Sequence, residues 1–344
     1  MTNIKGYRWS IVIMTVYNAV FFGVKIFSAN AGSGGYILSA LCTVAALIVY
    51  SVLFAVLPKG REMKKIPCKI VFGTLLVLSS VWAAAAASAY TARLVGNVFM
   101  KKSPFPYILV LTAFPSFMGA YFGFKSASRY SLVAGRIIFF AAAVILLLTV
   151  QEYDRDNLYP IFGSISARDV LIFPSVFSPL IYLPAIAAVC GGNDGVAGEG
   201  TKIILISGAA MTAVCLVYNL TVPREALTLF ENPLLVIAST INFDFIFERC
   251  EALVLVIWLF LSYLNICALT TMAADFLCKS FSLSCRNAVV WVVFAVIFSA
   301  ALIADKLGSV DKFFAASAVF GGVVSIVLPI GAAIFSGREN REKS

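Results

Sequence analysis

Histidine is absent from the sequence, and charge is scarce. Of the 344 residues, 12% are charged and none is His. The lack of His excludes His-ligated zinc sites, Ser-His-Asp and Cys-His catalysis, and imidazole proton relays. The hydrophobic content of 61% and the mean hydropathy of +0.96 lie far outside the balance of a soluble domain. Together these values exclude a soluble globular protein and indicate an integral membrane protein.

The sequence also lacks any Cys-x-x-Cys pair. Its eight cysteines lie mostly inside apolar runs, so neither a metal knuckle nor a disulfide framework is indicated. We interpret them as small apolar packing residues, and we predict no metal and no cofactor. An enzyme is not expected, because the apolar runs hold no grouping of nucleophile, acid and metal ligands.

Ten apolar runs are long enough to cross a bilayer. They predict an all-α integral membrane protein with a single polytopic domain over 1–344. Ten spans divide into two sets of five, about 8–151 and about 165–336, which suit an inverted repeat with interrupted first and sixth helices. The predicted spans are 9–29, 35–57, 69–99, 105–124, 131–151, 169–190, 202–222, 249–277, 287–305 and 313–336.

The distribution of charge predicts the orientation. Most of the 26 lysines and arginines fall in segments on the same side as the N-terminus, so the positive-inside rule places both termini in the cytoplasm. The net charge of +9 is therefore attributed to topology, and no nucleic acid is expected as a partner. The first span resembles a signal peptide, but its length and its Lys25 indicate that it is not cleaved.

The sixth span is rich in proline. Pro174, Pro179 and Pro184 each remove a backbone hydrogen bond, so a broken helix is expected, with Ser175 and Ser178 beside the freed groups. Exposed backbone within a bilayer is tolerated where it lines a cavity, which predicts a site for a small polar ligand. The alternative is that the prolines only kink a packed helix.

The first span would supply the other half of this site. Asn18 is the strongest candidate there, and a break around Gly23 is predicted from the repeat alone. Lys25 either extends its stem to the outer interface or faces the interior, where it pairs with a ligand carboxylate or an acidic partner. Asp275, near the cytoplasmic end of span eight, is interpreted as forming an interfacial i,i+4 ion pair with Lys279 and not as a proton site.

Several stretches, taken in chain order, together resemble one known family. They are Ala31-Gly32-Ser33-Gly34-Gly35, Ser103-Pro104, Gly135-Arg136, Asn157-Leu158-Tyr159-Pro160-Ile161-Phe162-Gly163, and Phe247-Glu248-Arg249-Cys250-Glu251-Ala252 with Trp258 downstream. They are similar to the endospore germination permeases, the B subunits of nutrient germinant receptors. That family resembles the amino acid–polyamine–organocation transporter superfamily. The sequence departs from it at Asn265, where a lysine is common, and in the first span.

The resemblance implies a ten-helix subunit of the spore inner membrane or the cell membrane, surrounded by lipid. Such a subunit binds a nutrient, typically an amino acid, between its first and sixth helices and works with A and C subunits. Binding triggers germination through a conformational change and ion release. Arg249 and Glu251 are the predicted gating pair, although Glu251 also suits the start of a helix. The alternative function is an ion-coupled amino acid permease.

Overall fold

A computed structural model describes residues 8–56, 69–159, 165–184, 196–223, 226–227, 233–239 and 250–341. Within these ranges the protein is helical and contains no strand. Seven helical segments there are long and apolar enough to cross a membrane, and the first of them, Arg8–Phe54, contains two predicted spans. The apolar helix Phe105–Tyr121 is shorter. The count of ten spans stays a prediction.

The helix bounds follow the apolar runs closely. The helices are α1 (Arg8–Asn18), α2 (Val24–Ala31), α3 (Gly35–Val56), α4 (Lys69–Val98), α5 (Phe105–Tyr121), α6 (Phe124–Leu148), α7 (Ala167–Val170), α8 (Phe173–Val176), α9 (Val196–Thr221), α10 (Pro233–Ser239), α11 (Cys250–Ser280), α12 (Arg286–Lys306) and α13 (Val310–Arg341). Most ends agree with the predicted spans within a few residues, because backbone exposed to lipid must be paired within apolar helices long enough to cross the bilayer.

The first span differs from its prediction, since the helix is not interrupted. Helix α1 continues into α2 through a π-helical turn, Ala19–Gly23, in which the Val24 N–H donates to the Ala19 carbonyl. This part of the sequence contains no proline, so the backbone groups stay paired in a wider ring. The chain then reverses at Gly32, whose φ is +55°.

The sixth span is interrupted, as its prolines predict. After the single turn of α7, the short helix α8 is followed by a 3₁₀ turn, Ser178–Ile181. Pro174 lies in the first turn of α8, and Pro179 lies in the first turn of the 3₁₀ segment. Pro179 has no N–H with which to continue α8, so α8 ends before it. Each proline is tolerated where it lies, because the first turn of a helix needs no backbone donor there.

Small residues bring the central helices together. Helix α11 packs most extensively against α4, where the run Ala84–Ala87 is buried. Such small side chains allow membrane helices to approach closely. Helix α1 packs against α6, α9 and α11, and the broken segment formed by α8 and the 3₁₀ turn lies against α1, α3 and α13. This arrangement puts the π turn and the broken segment side by side.

Candidate functional site

The first and sixth spans meet through one side-chain contact. Asn18 is the last residue of α1, and Ser178 is the first residue of the 3₁₀ turn. The Asn18 Nδ2 donates to the Ser178 Oγ at 3.1 Å, across 160 residues of sequence. The structure therefore places two of the predicted ligand-binding residues in direct contact.

A small polar cavity surrounds this contact. Its volume is about 20 Å³, which is room for about one water molecule. The described residues that line it carry no charged side chain. They are Asn18, Ser79, Ala83, Ser178, Pro179, Tyr182, Asn265, Leu269, Phe314, Ser317, Ala318 and Gly321. The site is thus closed around hydroxyl and amide groups in this conformation.

Hydrogen bonds fix two of these polar groups. The Ser80 Oγ donates to the Tyr182 hydroxyl oxygen at 3.2 Å, which ties α4 to the end of the broken segment. The Ser317 Oγ donates to the Phe314 carbonyl at 2.7 Å, within α13. Asn265 of α11 also lines the cavity and is 2% exposed. Sequence reasoning missed these residues as site members, although a polar residue inside an apolar span is a usable signal.

A pair of glycines on α13 supports the broken segment. A Cβ atom at Gly322 would lie 2.7 Å from the Ser175 backbone nitrogen and 2.8 Å from the Pro174 carbonyl carbon. A Cβ at Gly321 would lie 3.1 Å from the Ser178 Cβ. The α13 backbone therefore contacts the broken segment directly, and Pro174 and Ser175 pack on α13 while Pro179 and Ser178 line the cavity.

Gly23 has a packing position at the end of the π turn. A Cβ there would lie 3.0 Å from the Met211 Sδ of α9 and 3.5 Å from the Val176 Cγ1 of α8. The close approach of three helices accounts for this glycine. It does not appear among the residues that line the polar cavity.

Lys25 lies in an ion-pair cluster at the membrane face where α2 ends. Its Nζ is 4.0 Å from the Asp311 Oδ1, and the Arg93 Nη1 is 3.7 Å from the Asp311 Oδ2. These side chains are 36–42% exposed. Lys25 thus pairs with a protein carboxylate near the interface.

A second ion-pair cluster lies at the opposite end of α1. The Glu199 carboxylate, 5% exposed, is 3.3 Å from the Arg8 Nη1 and 3.1 Å from the Lys202 Nζ. It joins the start of α1 to the first turn of α9. Asp275 pairs separately with the Arg286 Nε at 2.7 Å, an interfacial ion pair between α11 and α12, whereas the sequence predicts Lys279 as its partner. Glu199 is a buried acid that sequence reasoning did not select.

The structure describes the side chain of neither member of the predicted gating pair. Arg249 precedes α11, and the side chain of Glu251 is likewise not described. Their pairing stays a prediction.

Comparisons with known proteins identify the fold and not a family. No family model and no curated protein matches the sequence. The structure is similar to Mhp1, a nucleobase-cation-symport-1 family transporter in a closed conformation with bromovinylhydantoin bound. The TM-score is 0.52 at 12% identity, over 96% of this chain and 93% of that one.

It is also similar to a manganese transporter of Eremococcus coleocola, solved with an aromatic bis-isothiourea substituted compound. There the TM-score is 0.55 at 13% identity, over 96% of this chain and 75% of that one. The chain thus has the helical fold of these integral membrane transporters.

Proposed function

We propose that the protein binds a small polar solute between α1 and the broken segment, and that binding shifts the balance between conformations of these two segments. The observation that carries the proposal is the hydrogen bond from Asn18 to Ser178 inside an uncharged polar cavity. In repeat-built transporter folds, solutes bind near the membrane centre between the first and sixth helices.

The lining of the cavity narrows the class of solute. Hydroxyl and amide groups suit a neutral polar molecule, or a zwitterion whose charges meet the partial charges of helix ends. A divalent cation such as Mg²⁺ or Ca²⁺ prefers carboxylate and carbonyl ligands, and the described lining offers no carboxylate. An amino acid is therefore the first solute to test.

The ion pairs at the two ends of the first span fit a closed state. Arg8–Glu199 holds one end against α9, and Lys25–Asp311 holds the other against α13. A cavity for one water cannot admit an amino acid, so α1 must separate from the broken segment during binding. A solute then shifts the conformational balance only if it binds the two states with different affinities.

More specifically, the protein is proposed to be a subunit of a spore nutrient germinant receptor. This proposal rests on the sequence motifs, which imply A and C partner subunits, the spore inner membrane and ion release. One of these motifs contacts the first span, because Trp258 packs on Phe21 of the π turn with ring centroids 5.1 Å apart. The alternative remains an ion-coupled amino acid permease. A coupled carrier is expected to hold a buried carboxylate or a well-formed ion site. The described lining offers no carboxylate, which favours the receptor over a carrier of the first kind.

Thermal unfolding of the purified chain in the presence of each of the twenty amino acids tests the solute. A ligand at a hundredfold excess over its Kd adds about 2.7 kcal/mol to the stability of the folded state. We expect Asn18→Ala and Ser178→Ala to abolish this effect, and the exposed Ser299→Ala to retain it. Full retention in Asn18→Ala and Ser178→Ala would contradict the proposal.

Uptake by proteoliposomes distinguishes the germinant receptor subunit from the ion-coupled amino acid permease. A coupled permease accumulates a radiolabelled amino acid when an ion gradient is imposed. A receptor subunit binds the same amino acid without accumulating it. Accumulation by the isolated chain would overturn the receptor and leave the binding site intact.

A further inference from the structure

A second cavity lies at the membrane face where α4 and α12 end. Its volume is about 490 Å³, and it is open to the surface. It is lined by Ala92, Arg93, Gly96, Asn97, Met100, Lys101, Ser103, Phe105, Ile108, Asp305 and Gly308. None of these residues lines the central cavity. The predicted orientation puts this face outside the cytoplasm.

Charges of both signs line this cavity. Arg93 and Asp305 are half-buried, and Lys101 is exposed at the rim. Within the described part of the chain, the Asp305 carboxylate forms no ion pair, whereas Arg93 pairs with Asp311. Partly buried charges gain from a complementary partner, and the cavity leaves room for one.

The floor of the cavity is apolar. Ala92 and Ile108 are buried there, and the missing side chain of Gly96 adds depth, since a Cβ would lie 3.1 Å from the Ile108 Cδ1. A short aliphatic body fits such a floor, while the charged groups above it set its orientation.

We propose that this cavity binds a small zwitterion, with its anionic group at Arg93 and Lys101 and its ammonium group at Asp305. Free amino acids carry this pair of charges, and so does the phosphoethanolamine headgroup of a lipid. The site is independent of the central cavity, and its occupancy does not depend on the function proposed above.

Arg93 links the site to the ion pairs beside it. The same guanidinium lies 3.7 Å from the Asp311 Oδ2, and Asp311 also pairs with Lys25. A bound anion therefore competes with Asp311 for Arg93. Replacing that carboxylate in Asp311→Asn frees Arg93 and tightens zwitterion binding, an effect opposite to that of simple structural damage.

The experiment uses the full chain carrying Asn18→Ala and Ser178→Ala, so that the central cavity does not contribute. Thermal shifts are measured in lipid-free detergent with each of the twenty amino acids and with glycerophosphoethanolamine. We expect at least one probe to raise the Tm, and Asp305→Asn to weaken its binding by roughly tenfold. Asp305→Glu restores binding, and acetate or ethylammonium alone has little effect.

A response to glycerophosphoethanolamine alone assigns the site to a lipid headgroup, and a response to an amino acid assigns it to a soluble ligand.

Two controls keep the outcome decisive. Without a probe, Asp305→Asn is expected to unfold at the same Tm as its parent, because the described residues give this carboxylate no ion pair. If that variant is less stable, the exposed Lys101→Gln provides the second test, with weaker binding at an unchanged Tm. The proposal is overturned if no probe raises the Tm, if Asp305→Asn and Lys101→Gln bind as well as the parent, or if Asp311→Asn does not bind more tightly.

Discussion

A methyl group added at Gly322 tests how α13 supports the broken segment. In Gly322→Ala the new Cβ would lie 2.7 to 2.9 Å from backbone atoms of Pro174 and Ser175. Apolar contacts are normally about 3.5 Å or longer, so α13 and the broken segment must move apart by roughly half an ångström or more. Overpacking of this kind costs about 1–3 kcal/mol, and the helical preference of Ala over Gly returns about 0.5–1 kcal/mol. The variant is thus expected to lose about 1 kcal/mol of stability, together with solute affinity at the central cavity.

The assay is unfolding in mixed detergent micelles across a graded series of variants. Gly321→Ala meets a side chain at 3.1 Å and should lose less stability than Gly322→Ala. Gly198→Ala, on α9, meets nothing within 4 Å and should be neutral or slightly stabilising. The order Gly322, Gly321, Gly198 follows from the contact distances alone. Equal stability of the three variants would refute direct backbone contact between α13 and the broken segment.

Three other expectations follow from named contacts. Asn18→Ala and Ser178→Ala should be non-additive in a double-mutant cycle of unfolding, with a coupling of about 0.6 kcal/mol, the usual size between membrane helices; strict additivity would contradict the hydrogen bond. Glu199→Gln should cost about 1–3 kcal/mol of unfolding free energy, because it leaves two cations beside a buried neutral amide. The control Asp311→Asn, in a more exposed cluster, should cost less than about 1 kcal/mol, and the reverse order would contradict the burial. Tyr50→Phe should lose about 0.5–1.5 kcal/mol, since its hydroxyl lies 2.6 Å from a buried serine hydroxyl; unchanged stability would argue against that bond.

Most of the helix bounds could be predicted from the sequence, because a bilayer core accepts only long apolar helices at lipid-exposed positions. The break in span six was predictable for a different reason, since each proline removes a donor at a fixed place. The π turn could not be predicted locally. Residues 19–23 contain no breaker before Gly23, and a wide turn in a helix depends on packing against neighbours.

Three of the residues that line the candidate site, Asn18, Ser178 and Pro179, were predicted from the sequence. Asn18 and Ser178 stood out because each lies at the expected membrane depth in spans that an inverted repeat would pair. Asn265 and Ser317 come from spans eight and ten, and hydropathy does not say which helix face meets the centre. In α13 the hydrophobic residues surround the helix on all sides, so periodicity left the role of Gly321–Gly322 undetermined.

The π turn gives the first span an adjustable register. A π-helical turn holds one residue more than the α-helical turn that it replaces. If Ala19–Gly23 closed into regular α-helix, the surplus residue would rotate α2 by about 100° about its own axis relative to α1 and change its rise by about 1.5 Å. Lys25 would turn away from Asp311 while Asn18 kept its place beside Ser178. Closure of the π turn would in this way uncouple the two ends of the first span by axial rotation, with no hinge and no unwound backbone.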